Sequence, residues 1–286
     1  VSQAARHGGD LDGEMGTVAG LAVTVFGPRD AEPVLMSAGL GGHGAYWQPQ
    51  VAALARRYRV ILYDHRGTGH SERTLSAPYG VTDMAADIER ILDGLSIPSA
   101  HVVGHAAGGI AGLELARVAP QRVASLTIVN GWAKADPYFK RCFEIRLALY
   151  ESGGAAAYLR AQPLFLFPAE WISARLEEMD RQIPAQAAEF QDEAVLRLRI
   201  KALGDFDVLD TLAGIGTPTL LVSAKDDMLV PAHCSSVLAK GLPVADHVQM
   251  AWGGHGVNVT DPEGFNRYLL PFLEAQALPA ASLKAN

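Results

Sequence analysis

His255 stands in a Gly253-Gly254-His255-Gly256 turn, and Asp227 lies in Asp226-Asp227-Met228-Leu229-Val230-Pro231. An imidazole and a carboxylate together can move protons: the carboxylate sets the tautomer from one ring nitrogen, and the other nitrogen faces substrate. Glycines beside His255 leave its ring free to hang over a pocket, and Asp226 is the weaker candidate for the acid. Earlier in the chain, Val102-Val103-Gly104-His105-Ala106-Ala107-Gly108-Gly109 has the form of a nucleophile elbow. Such an elbow is a sharp strand-to-helix turn whose flanking glycines avoid collision around a central serine. Gly104 and Gly108 fit that form; Ala106 does not. A methyl group cannot attack a carbonyl, so either the chemistry runs without a covalent nucleophile or a serine has been replaced.

The chain has 286 residues, of which 49% are hydrophobic and 19% charged, enough for one large α/β domain carrying an insertion. Its formal net charge is −7 and it contains no lysine- or arginine-rich block, so the footprint of a nucleic-acid binder is missing. No apolar run reaches the roughly 18 residues of a spanning helix. Only Cys142 and Cys234 occur, with neither a C-x-x-C motif nor a disulfide framework, which suits a reducing cytoplasm. Residues 1–14 lack the apolar core of a signal peptide and are expected to form a disordered leader, with Met15 as the natural start.

The elements that must position these residues follow from periodicity. Gly16 to Phe26 suggests two short antiparallel strands, and Pro33 to Ala38 a third strand ending in Gly39-Leu40-Gly41-Gly42, where backbone can approach a ligand. Helical spacing covers Tyr46 to Tyr58, with Trp47 as core or pocket wall, and a buried strand runs from Arg59 to Tyr63. The loop Asp64 to Ser71 is either a polar turn braced by Arg66 or a second approach to substrate. Thr82 or Asp83 caps the next helix, and His101 to Gly104 leads into the elbow. After the elbow come a helix stopped by Pro120 and a strand from Val123 to Val129. Residues 132–212 turn to helices, with Pro137, Pro163, Pro168 and Pro184 spacing the segments. Strands near Pro218 to Ser223 and His247 to Ala251, and helices near Ala232 to Leu242 and Pro262 to Leu273, complete the alternation. The expected fold is a mostly parallel, doubly wound sheet with a helical cap inserted after the sixth strand. Residues 15–131 and 213–286 would form the core and 132–212 the cap, with a frayed tail from Pro279.

In such sheets ligands bind beyond the carboxyl ends of the strands, where each of these suspicious loops is expected to fall. The chain order elbow, acid, histidine is that of the α/β-hydrolases, which also supply two backbone N–H donors, here Leu40 and Ala107. His105 reads as a packed neighbour of the elbow. His43, His65, His70 and His233 lack zinc-ligand spacing, so neither metal nor cofactor is expected.

More specific segments carry a closer resemblance. They include Val129-Asn130-Gly131-Trp132, Arg141-Cys142-Phe143, Ser152-Gly153-Gly154-Ala155, Ala161-Gln162-Pro163-Leu164-Phe165-Leu166 and Asn258-Val259-Thr260-Asp261-Pro262-Glu263. With the turn motifs they span residues 34 to about 270, cap included. The chain resembles the pyrimidine-utilisation hydrolases of bacterial uracil degradation, assigned to carbamate and to aminoacrylate. In that family alanine at the elbow centre is part of the pattern. The resemblance implies His255 and Asp227 as the working pair, with Leu40 and Ala107 as donors. It implies hydrolysis of carbamate to ammonia and carbon dioxide, or of aminoacrylate to malonic semialdehyde and ammonia. Small anionic substrates call for a cation in or under the cap, for which Arg141 and Arg146 are candidates, with Trp132 and Gln162 as pocket walls. The rival readings are an esterase, lactonase or amidase whose serine was replaced, and a binding protein that kept the pocket without turnover. A homodimer stays open beside a monomer.

Overall fold

Residues 13–278 are described in the computed structural model. Eight strands form one sheet in the order β1-β2-β4-β3-β5-β6-β7-β8. They are β1 (Glu14–Val18), β2 (Leu21–Phe26), β3 (Pro33–Ser37), β4 (Arg59–Tyr63), β5 (Ala100–His105), β6 (Val123–Val129), β7 (Thr219–Ala224) and β8 (Ala245–Met250). β1 with β2 and β2 with β4 pair antiparallel; every other neighbour is parallel. Most of the expected leader and the tail from Pro279 lie outside the described residues. Glu14, however, opens β1 opposite Val25, because pairing in a hairpin orders it.

Strand side chains alternate between two cores, as the period of two requires. Leu35, Ile61, Val102 and Leu221 face one layer, while Val34, Met36, Val60, Leu62, Val103, Leu220 and Val222 face the other. The first layer is covered by α2 (Val81–Gly94), α3 (Ala107–Val118) and α8 (His233–Gly241), and the second by α1 (Gln48–Leu54) and α10 (Pro262–Ala275). Trp47 is wholly buried in that second layer. Neither Thr82 nor Asp83 is the N-cap of α2: Gly80 is, and its N–H donates to the Asp83 carboxylate at 2.8 Å from within the first turn. The short α9 (Val257–Thr260) follows the His255 turn.

Between β6 and β7 the chain builds a helical cap from α4 (Pro137–Leu166), α5 (Ala169–Ser173), α6 (Leu176–Ala188) and α7 (Glu193–Asp205). Its neck is closed by a backbone bridge and an ion pair between Lys134 and Asp207, 2.6 Å apart. Pro163 and Pro184 do not space the cap segments; they lie inside α4 and α6. The break falls at Gly154, whose φ of 66° and ψ of −164° suit a residue without Cβ. Among the described residues, no helix is long and apolar enough to cross a membrane.

Besides His255, three imidazoles are buried among the described residues: His65, His101 and His105. Burial holds His65 and His105 well below the ordinary histidine range and His101 at about 4. Below pH 6.5 the unfolded chain takes up protons that these folded imidazoles refuse, so stability present above that pH is lost as pH falls. Together they are expected to remove about 4 kcal/mol of folding stability between pH 7.5 and 5.5. Urea denaturation at the two pH values checks this; a midpoint no lower at pH 5.5 would contradict it.

Candidate active site

Two glycines make the elbow possible. A Cβ on Gly104 would meet backbone of Gly108 at 2.4 Å, and one on Gly108 would meet the Ser37 carbonyl at 2.2 Å. The turn they permit places Ala106 at φ 46° and ψ −108°, a strained backbone for an L-residue. That conformation is held by the Ala106 N–H donating to the Val129 carbonyl at 2.8 Å and by Ile110 N–H donating to the Ala106 carbonyl at 3.0 Å. The chain therefore keeps the elbow with a methyl group at its centre. Ala107, the first residue of α3, has one of the N–H groups that a helix start leaves without an intrahelical partner. Leu40, in the glycine turn after β3, lines the same cavity as Ala106 and Ala107.

Opposite them, His255 Nδ1 donates to Asp227 Oδ2 at 2.8 Å, with both side chains buried. Asp227 cannot rotate away, because its Oδ1 accepts the N–H groups of Leu229 at 2.7 Å and Val230 at 2.9 Å. This places the ring proton on Nδ1 and leaves Nε2 as the nitrogen that can exchange a proton. The neighbouring carboxylate is used differently, since Asp226 accepts the N–H groups of Gly253 and Gly254 at 3.2 and 3.0 Å and so holds the turn that carries His255.

The His255 carbonyl is fixed as well, accepting from His105 Nε2 and from Asn130 Nδ2, each at 2.8 Å. His105 is thus a buried support, stacked on Tyr46 at 4.7 Å between ring centroids. Asn130, at φ 51° just after β6, also accepts the Ala224 N–H at 3.0 Å and so ties three strand ends together. Its role is not evident from its residue type; the only signal is its place at a strand end. Arg66 pairs with Asp87 at 3.0 Å and donates to the Ala19 carbonyl at 3.0 Å, so it braces its loop and does not line the cavity.

The cavity has a volume of about 230 Å³. Ala106 and His255 share it with Trp132, Phe139, Phe143, Arg146, Gln162, Leu203 and Leu229, so the cap does close over the elbow. Of the two candidate cations, only Arg146 is there. Arg141 is solvent-exposed and paired with Glu144 at 2.9 Å. The two residues are five apart on one helix, about 140° around its axis, and so face different surroundings. Arg146 donates to Gln162 Oε1 at 2.9 Å and packs over the rings of Tyr158 and Phe143, 4.5 and 4.9 Å from their centroids. Burial lowers its pKa from the usual arginine value, and among the described residues no carboxylate pairs with it and its Nε has no partner. A guanidinium kept this dry and unneutralised suits an anion that arrives from outside.

Three imidazoles line the cavity, His43, His105 and His255, of which His255 is the one paired with a carboxylate, together with one cation and a mostly apolar wall. At the elbow centre Ala106 has no group that forms a covalent intermediate. Residues 32–153 match the alpha/beta hydrolase fold family. A protein of Caulobacter sp. strain K31, which carries the provisional name carbamate hydrolase RutD, is 49% identical over 92% of this chain and 99% of its own. A counterpart of the same name in Variovorax paradoxus strain S110 is 47% identical over 89% of this chain and 96% of its own. The enol-lactonase of Burkholderia xenovorans LB400 superposes with a TM-score of 0.81 at 25% identity, covering 91% of this chain and 100% of that one.

Proposed function

Because the chain belongs to the RutD family of α/β-hydrolases, we propose that it breaks the C–N bond of a small anionic substrate, carbamate or aminoacrylate, by proton transfer through His255. The observation that carries this reading is the buried His255–Asp227 pair facing a cavity that has a methyl group where a nucleophile would stand. Carbamate needs no nucleophile. Protonated on nitrogen, it separates into ammonia and carbon dioxide, so one proton is consumed and one bond breaks. His255, protonated on Nε2 and steadied by Asp227, delivers that proton. The step annihilates the charges of a zwitterion, and a dry wall of Trp132, Phe139, Phe143 and Leu203 disfavours the zwitterion more than the transition state. Aminoacrylate uses the same imidazole differently: a shifted proton gives the imine, and added water releases ammonia and malonic semialdehyde. Leu40 and Ala107 supply N–H groups for the oxygen of the carbinolamine that water forms, as that oxygen loses its proton and ammonia leaves.

Arg146 is assigned the carboxylate of either substrate. Its contribution falls on binding, because the carboxylate's charge stays in place in aminoacrylate and is lost as carbamate becomes carbon dioxide. Arg146→Met, which keeps the apolar stem between Phe143 and Tyr158, is expected to raise KM about 10- to 100-fold without lowering kcat. Arg141→Met should leave both constants alone. Steady-state ammonia release, with the spontaneous rate in buffer subtracted, tests the whole reading. A wild-type rate no greater than the buffer rate would favour a binding protein instead.

A further inference from the structure

Asp136, His233 and Cys234 lie outside the cavity and have no part in the chemistry above. Their donor atoms, a carboxylate oxygen, an imidazole nitrogen and a thiol sulfur, all fall within 4.8 Å of one another. We propose that they form a binding site for a borderline-soft divalent cation of the zinc class, which fastens the first turn of the cap to the core.

The local folding explains how three such donors meet. Asp136 is the N-cap of α4, and one of its oxygens, Oδ1, accepts the Tyr138 N–H at 2.7 Å. Its other oxygen, Oδ2, is left to face His233 Nε2 at 2.9 Å. His233 and Cys234 open α8, just past the Asp227–Pro231 loop, and reach the cap from the core side. Sequence spacing conceals the site, because Asp136 and His233 are 97 residues apart. An ion pair would need only the aspartate and the histidine; the thiol within reach is what a cation adds a use for.

Bonds of about 2.0 Å to oxygen and nitrogen and about 2.3 Å to sulfur put tetrahedral ligands roughly 3.3 to 3.5 Å apart, so small side-chain rotations suffice. A thiolate with an imidazole and a carboxylate selects zinc-like ions over magnesium or calcium. The His233 side chain is 62% exposed, which leaves a path for the ion and a fourth position for water. A thiol must lose its proton to ligate a cation, so affinity should climb with pH.

Cobalt(II) serves as the spectroscopic probe on the full chain after chelator treatment. One equivalent should produce thiolate-to-cobalt charge-transfer absorption together with tetrahedral d–d bands, and zinc should displace it. Cys234→Ala should abolish the charge-transfer band, Asp136→Asn and His233→Asn should weaken binding at least about 10-fold, and Cys142→Ala should change nothing. Zinc should also raise the melting temperature of the wild type but not of Cys234→Ala. Absence of the charge-transfer band in the wild type, its survival in Cys234→Ala, or its loss in Cys142→Ala would overturn the proposal. The readout is spectroscopic and independent of turnover, so it stands or falls apart from the reaction assigned to the cavity.

Discussion

Replacing His255 with alanine is expected to lower ammonia release from carbamate or aminoacrylate by about 10²-fold or more, once the spontaneous rate is subtracted. The imidazole is the titratable group of the cavity held by a buried carboxylate, and that carboxylate is itself pinned by two backbone N–H groups. Losing the ring removes the proton donor and also strands the Asp227 charge, which costs about 3–5 kcal/mol of stability when a buried pair loses one member. A second variant separates these effects: His255→Gln keeps a donor that can reach Asp227 but cannot carry a proton through the cycle. Both variants should be slow, and His255→Gln should melt closer to the wild type. A folded His255→Gln protein that retains the wild-type rate would defeat the proton-transfer assignment. Asp227→Asn should also be slow, because an amide can present its N–H to Nδ1 and force the proton onto Nε2.

Installing serine at position 106 is expected to leave carbamate turnover within about twofold while raising hydrolysis of an activated ester by about 10²-fold or more over the parent chain. The elbow is already in place, since Ala106 holds its strained φ of 46° with the backbone bonds the turn requires. A serine hydroxyl would lie below His255 and beside the N–H groups of Leu40 and Ala107, completing a triad around the existing pair. Ester cleavage gains because a covalent intermediate divides one hard step into two. Expulsion of ammonia from a protonated carbamate has no step for the hydroxyl to assist. Both activities measured in both proteins at one pH decide the matter. A gain of several orders of magnitude on esters or amides, with negligible carbamate activity in either protein, would identify a disabled serine hydrolase.

Most of the fold was legible because it rests on short-range patterns. The short apolar runs at Val34–Met36 and Val60–Leu62, the apolar face of Ile88, Ile91 and Leu92, and the crowded Gly104/Gly108 turn are written within a few residues of one another. The errors lie where a local rule had two outcomes. Pro163 and Pro184 look like breaks yet sit inside α4 and α6, and the bend in α4 falls at Gly154 instead. Glu14 belongs to a strand because its hairpin partner is only a turn away.

Residue order alone specifies the alternation of strands and helices, the elbow without a nucleophile, and the succession of elbow, acid and histidine. Packing in three dimensions was needed to show that Arg146 and not Arg141 enters the cavity, that Asp226 holds the turn while Asp227 holds the ring, and that His105 and Asn130 share the His255 carbonyl. It also brought Asp136 to His233 and Cys234. The difference is one of range. Periodicity and turn chemistry act between neighbours along the chain, whereas the direction of a side chain from a helix, and its partner from a distant strand end, are set by contacts across the whole domain.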